Sequence, residues 1–100
     1  MGCGSKSTPK LERVDAAPLL ALAHRIGGEE ACAQARDIPR LQARAIALVN
    51  SGRVPDDLQE PMMSAVGAVT AAQPSCPAGP GTRAAERARK LEALLRRFSR

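Results

Sequence analysis

Apolar residues return every three or four positions along most of this chain, the spacing of one face of an α-helix. Leu19, Leu22, Ala23 and Ile26 make the first such stripe. Asp15 suits the N-cap position before it, Pro18 is tolerated in an opening turn, and Gly27-Gly28 supplies a stop. Ile38, Leu41, Ala45, Leu48 and Val49 make a second stripe, which Asp37 opens with Pro39 in the first turn and Asn50-Ser51-Gly52 ends. Leu58, Met62, Ala65, Val66, Val69 and Ala72 make a third. It starts between Pro55 and Leu58, where Asp56, Asp57 and Glu60 suit the positive end of a helix dipole. Pro61 either kinks this helix or marks its true start. Beyond a stretch rich in Pro and Gly, Thr82 can cap a last helix on which Ala84, Ala88, Leu91, Leu95 and Phe98 recur, with Leu94 beside them. No segment alternates with the period of two that a half-buried strand requires. The pattern predicts an all-α protein. A flexible tether spans residues 1–14, a three-helix bundle residues 15–76, a Pro/Gly linker residues 77–82 and an appended basic amphipathic helix residues 83–100.

Length and composition narrow the function classes. One hundred residues make a single small domain with a thin core. Alanine supplies 19 residues and Phe only one, with no Trp or Tyr, so a platform of stacked aromatics is excluded. No run of apolar residues is long enough to span a bilayer. The single histidine, His24, has Leu20 and Gly28 as helical neighbours, neither an acid-base partner nor a ligand, and is read as structural. Asp56, Asp57 and Glu60 are explained by the helix dipole without a metal. Glu29-Glu30 read as a solvated turn, and Met62-Met63 as core filling before any adaptable groove. No catalytic residue, metal site or cofactor is expected, and the chain is read as non-enzymatic.

Charge divides sharply along the chain. Residues 1–81 carry eight cations and eight anions. Residues 82–100 carry Arg83, Arg87, Arg89, Lys90, Arg96, Arg97 and Arg100 against Glu86 and Glu92, so the whole net charge of +5 belongs to the last helix. Such asymmetry points to an electrostatic contact made by one part of a protein. Glu86 with Lys90 and Glu92 with Arg96 stand at i,i+4 in the favourable orientation. Three fates compete for this helix. It packs Leu91, Leu94, Leu95 and Phe98 on the bundle and leaves its arginines in solvent. It lies on an anionic membrane or cell-wall polymer with those apolar residues inserted. Or it binds an unidentified protein or nucleic acid, the latter least supported because no recognised module accompanies it.

Three cysteines occupy dissimilar settings. In an antiparallel bundle the end of the third helix returns to the level of the first connection, which brings Cys76 towards Cys32. A disulfide between them implies an oxidising compartment, whereas two free thiols fit a cytosolic protein. Cys3 remains, in Met1-Gly2-Cys3-Gly4-Ser5. The glycine before Cys3 and the polar Lys6-Ser7-Thr8-Pro9 after it resemble the junction at which a bacterial lipoprotein is cleaved and lipidated. That resemblance expects a hydrophobic leader before Met1. The same residues fit a myristoylated terminus poorly, because Lys6 stands where Ser or Thr is wanted. They fit a phosphate-binding loop no better: Ser5 replaces the glycine before the lysine, and Pro9 interrupts the helix that should follow.

Together with Cys32, Val54-Pro55, Leu58, Pro74-Ser75-Cys76 and Arg89-Lys90-Leu91-Glu92, these residues make the chain similar to small alanine-rich helical lipoproteins of high-GC Gram-positive bacteria. The resemblance implies an address and an architecture but no chemistry. The expectation is an extracytoplasmic, membrane-anchored interaction module, lipidated at Cys3, that meets an anionic surface through its C-terminal helix. The alternative is a small cytoplasmic accessory protein that binds nucleic acid or an acidic partner through the same helix.

Overall fold

Leu19, Ala23 and Ile26 are buried on one face of a helix, and so are Ile38, Leu41 and Ala45 of the next. The stripes read from the sequence are therefore the core. The structure, a computed structural model, describes residues 10–76 and 81–100. It holds four helices: α1 (Arg13–Gly28), α2 (Ala31–Asn50), α3 (Asp56–Ala71) and α4 (Thr82–Phe98). α1 packs on α2, α2 on α3, α3 on α4 and α4 back on α1, each neighbour running antiparallel, which is an up-and-down bundle.

The all-α expectation holds, but the bundle has four helices and not three. Ala84, Ala88, Leu91 and Leu95 of α4 are buried to within 1% and join the same core as Leu19, Met62 and Val66. The last helix is thus a structural member, not an appendage. In this fold the apolar face of the helix is spent on the core, with Leu94 and Phe98 partly covered at its margin. Phe98 is partly covered, and Arg97 stacks over its ring at 5.5 Å.

The first helix begins earlier than Asp15. Leu11 is fully buried, its N–H donates to the Phe98 carbonyl at 2.7 Å, and the Arg100 N–H donates to the Leu11 carbonyl at 2.9 Å. The start of α1 is zipped to the end of α4 at one end of the bundle. Asp15 lies inside α1 and does not cap it; its carboxylate receives the Arg53 Nε at 3.0 Å, fastening the α2–α3 connection to α1. Asp37 likewise does not open the second helix. That helix starts at Ala31, where the Glu30 side chain caps the Ala33 N–H, and Asp37 is buried inside it. Pro18, Pro39 and Pro61 all sit within helices beyond the first turn. Pro61 therefore lies inside α3 and does not start it.

At the opposite end of the bundle Cys32 and Cys76 are joined by a disulfide, with Cα atoms 4.7 Å apart. This is the arrangement the antiparallel geometry predicts. Gln34, fully buried nearby, donates its Nε2 to the carbonyls of Ile26 at 2.9 Å and Gly81 at 3.1 Å. One amide thus ties the end of α1 and the start of α4 to α2. Gly81 has no room for a side chain, since a Cβ there would overlap the Gln34 carboxamide. Gly81 precedes α4 as its N-cap, while Thr82 is its first residue and makes no side-chain cap. The tether residues 1–9 and most of the linker, 77–80, lie outside the described residues.

Candidate functional site

The charged residues of α4 sort onto two edges of the helix. Once Ala84, Ala88, Leu91 and Leu95 face the core, Arg89, Arg96 and Arg100 fall towards α1, and Arg83, Arg87, Lys90 and Arg97 fall towards α3 and solvent. The α1 edge is occupied. Arg89 donates to the Gly27 carbonyl at 3.1 Å, Arg96 pairs with Glu92 at 2.7 Å, and Arg100 pairs with Glu12 at 3.1 Å. Glu92 also meets His24 Nδ1 at 3.2 Å, and Arg96, then His24, hold its carboxyl below the usual carboxylate range. His24 is therefore a structural partner of α4.

The α3 edge is open. Among the described residues Arg83, Arg87, Lys90 and Arg97 have no carboxylate within salt-bridge distance. Of the two i,i+4 pairs expected on this helix, Glu92 with Arg96 forms and Glu86 with Lys90 does not. Arg87 donates one N–H to the Ala68 carbonyl at 3.1 Å, which fixes its stem against α3. Arg87 and Lys90 border an open groove of about 420 Å³ floored by Pro61, Ala65, Ala68 and Leu94. Four cations on one helical edge, at spacings of four, three and seven residues, make the strongest uncompensated charge that the last helix presents.

The turn between α1 and α2 is more than a solvated loop. Glu29 has an oxygen shut off from solvent with no donor, and its carboxyl faces that of Asp37. Burial pushes Glu29 up to about 7, and the hydrogen bond to Asp37 and the charge of that carboxylate add to it, against the pull of Arg25 and Arg36. Asp37 is held below its usual range by that hydrogen bond first, and then by Arg25 and Arg40. Between the ordinary value of Glu29 and about 7 the folded chain binds more protons than the unfolded chain, so stability falls as pH rises through that window. Asp37 and Glu92, both lowered, act in the opposite sense only in more acid solution. The melting temperature should therefore be higher at pH 5 than at pH 7.5, for a change on the order of 1–2 kcal/mol. Glu29→Gln should flatten that slope in a melt followed by circular dichroism. An equal slope in wild type and variant would remove Glu29 from the titration.

Of the other residues considered from sequence, Asp56 and Asp57 occupy the first turn of α3 as the helix dipole favours. Met62 is fully buried in the core. No group of three or more His, Cys, Asp or Glu is placed to hold a metal among the described residues. Nor is any helix there long and apolar enough to cross a membrane. Cys3 lies outside the described residues. Comparison of the chain with protein-family models, curated proteins and solved structures gives no match.

Proposed function

We propose that this protein is a non-enzymatic helical interaction module of an extracytoplasmic compartment, tethered through a lipid on Cys3, that rests on an anionic membrane surface through the exposed edge of α4. The observation that carries the reading is the row Arg83, Arg87, Lys90 and Arg97, left without carboxylate partners on one edge, while on the other edge Arg96 and Arg100 are paired with acids and Arg89 is held by the Gly27 carbonyl. Like charges held together in a native surface repel each other, and an anionic surface relieves that repulsion. The disulfide supports the compartment, since such bridges persist outside the reducing cytosol. With Leu91 and Leu95 in the core, the contact is electrostatic and not insertional, so it must weaken as salt rises.

The test is co-sedimentation of the disulfide-intact chain with vesicles, with and without anionic lipid. Each cation near such a surface contributes about 1 kcal/mol. Arg83→Ala with Lys90→Ala should therefore weaken binding roughly tenfold or more. Arg96 and Arg100, already paired within the fold, should matter less. Binding that ignores lipid charge, or that survives the double substitution, would remove the α4 edge from the function.

A further inference from the structure

Residues 1–81 carry balanced charge, yet the fold gathers the cations of the first helical hairpin onto one side. Arg36, Arg40 and Arg44 follow one another at successive turns of α2, and Arg25 of α1 stands across from them. Asp37 is what brings two of these together. Its carboxylate is buried, with 4% of the side chain exposed, and a single oxygen, Oδ1, lies 3.0 Å from Arg25 Nη2 and 3.5 Å from Arg40 Nη1. Each guanidinium has five N–H donors; Arg25 gives one to Asp37 and has its Nε 3.7 Å from Glu29 Oε2, while Arg40 meets Asp37 only as an ion pair. The rest of both side chains, 53% and 63% exposed, is available to solvent. Arg44, one turn further, has no carboxylate partner among the described residues. These three arginines border an open groove of about 400 Å³ whose remaining lining is Pro18, Ala21 and Leu22. No acid lines it.

We propose that this groove binds a phosphate ester, its oxyanion held by Arg25, Arg40 and Arg44 and its aliphatic group laid over Pro18, Ala21 and Leu22. Three planar forks from two helices around one groove match the three terminal oxygens of a phosphate monoester better than the single pair of a carboxylate. Two of the forks are tied to one buried oxygen before any ligand arrives, which lowers the ordering cost of binding. The apolar half of the lining has no use for a bare ion and suits a ligand with a hydrocarbon part. Because the helices follow one another around the bundle, the α1–α2 groove lies on the side away from the α3–α4 edge, so both sites can be filled at once.

The experiment follows the backbone amides of the isotope-labelled, oxidised full chain by NMR during titration with inorganic phosphate, hexyl phosphate and hexanol. Hexyl phosphate should shift the amides around Ala21, Leu22, Arg40 and Arg44. Inorganic phosphate should bind the same residues more weakly, and hexanol should not bind. Arg44 is exposed and makes no contact that the fold depends on, so Arg44→Ala should stay folded and weaken hexyl phosphate roughly tenfold, the loss of one charge-assisted contact. Arg83→Ala with Lys90→Ala, which disables the α4 edge, should leave this affinity unchanged. The two sites thus fail separately. Equal weakening by both variants, or shifts spread over every arginine, would mean unspecific ion pairing and overturn the site. Equal affinity for the two phosphates would overturn its aliphatic half. Competition of hexyl phosphate with vesicles bearing a phosphomonoester headgroup, lost in Arg44→Ala, would assign the ligand to a lipid. Tight binding of hexyl phosphate without competition would assign it to a soluble ester, and either result keeps the site.

Discussion

Reduction of the Cys32–Cys76 bridge is expected to lower the melting temperature by roughly 15 °C or more. The bridge joins the first turn of α2 to the segment after α3 and closes a loop of 44 residues by sequence separation. In the chain-entropy treatment, a loop of that length withholds about 4 kcal/mol of freedom from the unfolded state. A domain of this size rarely has more than about 5–15 kcal/mol in total, and an alanine-rich core places it towards the low end. The bridge also lies at the end of the bundle where Gln34 holds α1 and α4 to α2, so its loss frees three junctions together. Cys76 is exposed and open to a reductant. Melting the chain with and without a phosphine reductant, beside Cys76→Ser, measures the effect directly. The oxidised variant Cys3→Ser should melt as wild type, because Cys3 takes no part in the bridge. A shift under about 5 °C on reduction would mean that the unfolded chain is already confined at these points, and the entropic account would be wrong.

The helices were legible in the sequence because burial in a bundle writes itself as period. Leu19, Ala23, Ile26, Ile38, Leu41, Ala45, Leu58, Met62, Val66, Val69, Leu91 and Leu95 all stand on stripes and are all buried. What period does not carry is where a helix begins. Asp37 two residues before Pro39 has the local chemistry of a helix start, and so has Asp15 three residues before Pro18. Both aspartates instead answer arginines far along the chain, Asp37 to Arg25 and Asp15 to Arg53, which no local rule can see. The place of the last helix was hidden for a different reason. An amphipathic stripe is the same stripe whether it meets a membrane or a bundle. The choice falls to the empty fourth side left by α1 and α3, and to the Leu11 pairing that closes the termini. The arginine groove was hidden by arithmetic. Summed along the chain, its charges cancel against acids such as Asp56, Asp57 and Glu60, which belong to a different helix.

Leu91→Ala should destabilise the protein by about 3 kcal/mol, within the span of roughly 2.7–5 kcal/mol measured for buried leucines of this kind. Leu91 is fully buried and packs in the cluster that includes Leu19, Met62 and Leu95. Truncating it removes the transfer energy of its side chain and leaves a void that neighbouring alanines, Ala84, Ala88 and Ala23, are too short to fill. The cost should appear as a lower urea midpoint with little change of slope, because the same surface is exposed on unfolding. Arg97→Ala, on the solvent edge of the same helix, should change stability by no more than about 0.5 kcal/mol. The contrast between these two substitutions separates the inner face of the helix, which builds the bundle, from the outer edge proposed to meet the anionic surface. A chain ending at Gly81 should consequently lose its cooperative unfolding transition altogether, since the faces of α1 and α3 that α4 covers would be opened to water. Loss of vesicle binding in that truncation would report unfolding and not recognition, which is why the point substitutions Arg83→Ala and Lys90→Ala carry the functional test. A cost below about 1 kcal/mol for Leu91→Ala would place α4 outside the core and return it to the status of a detachable arm.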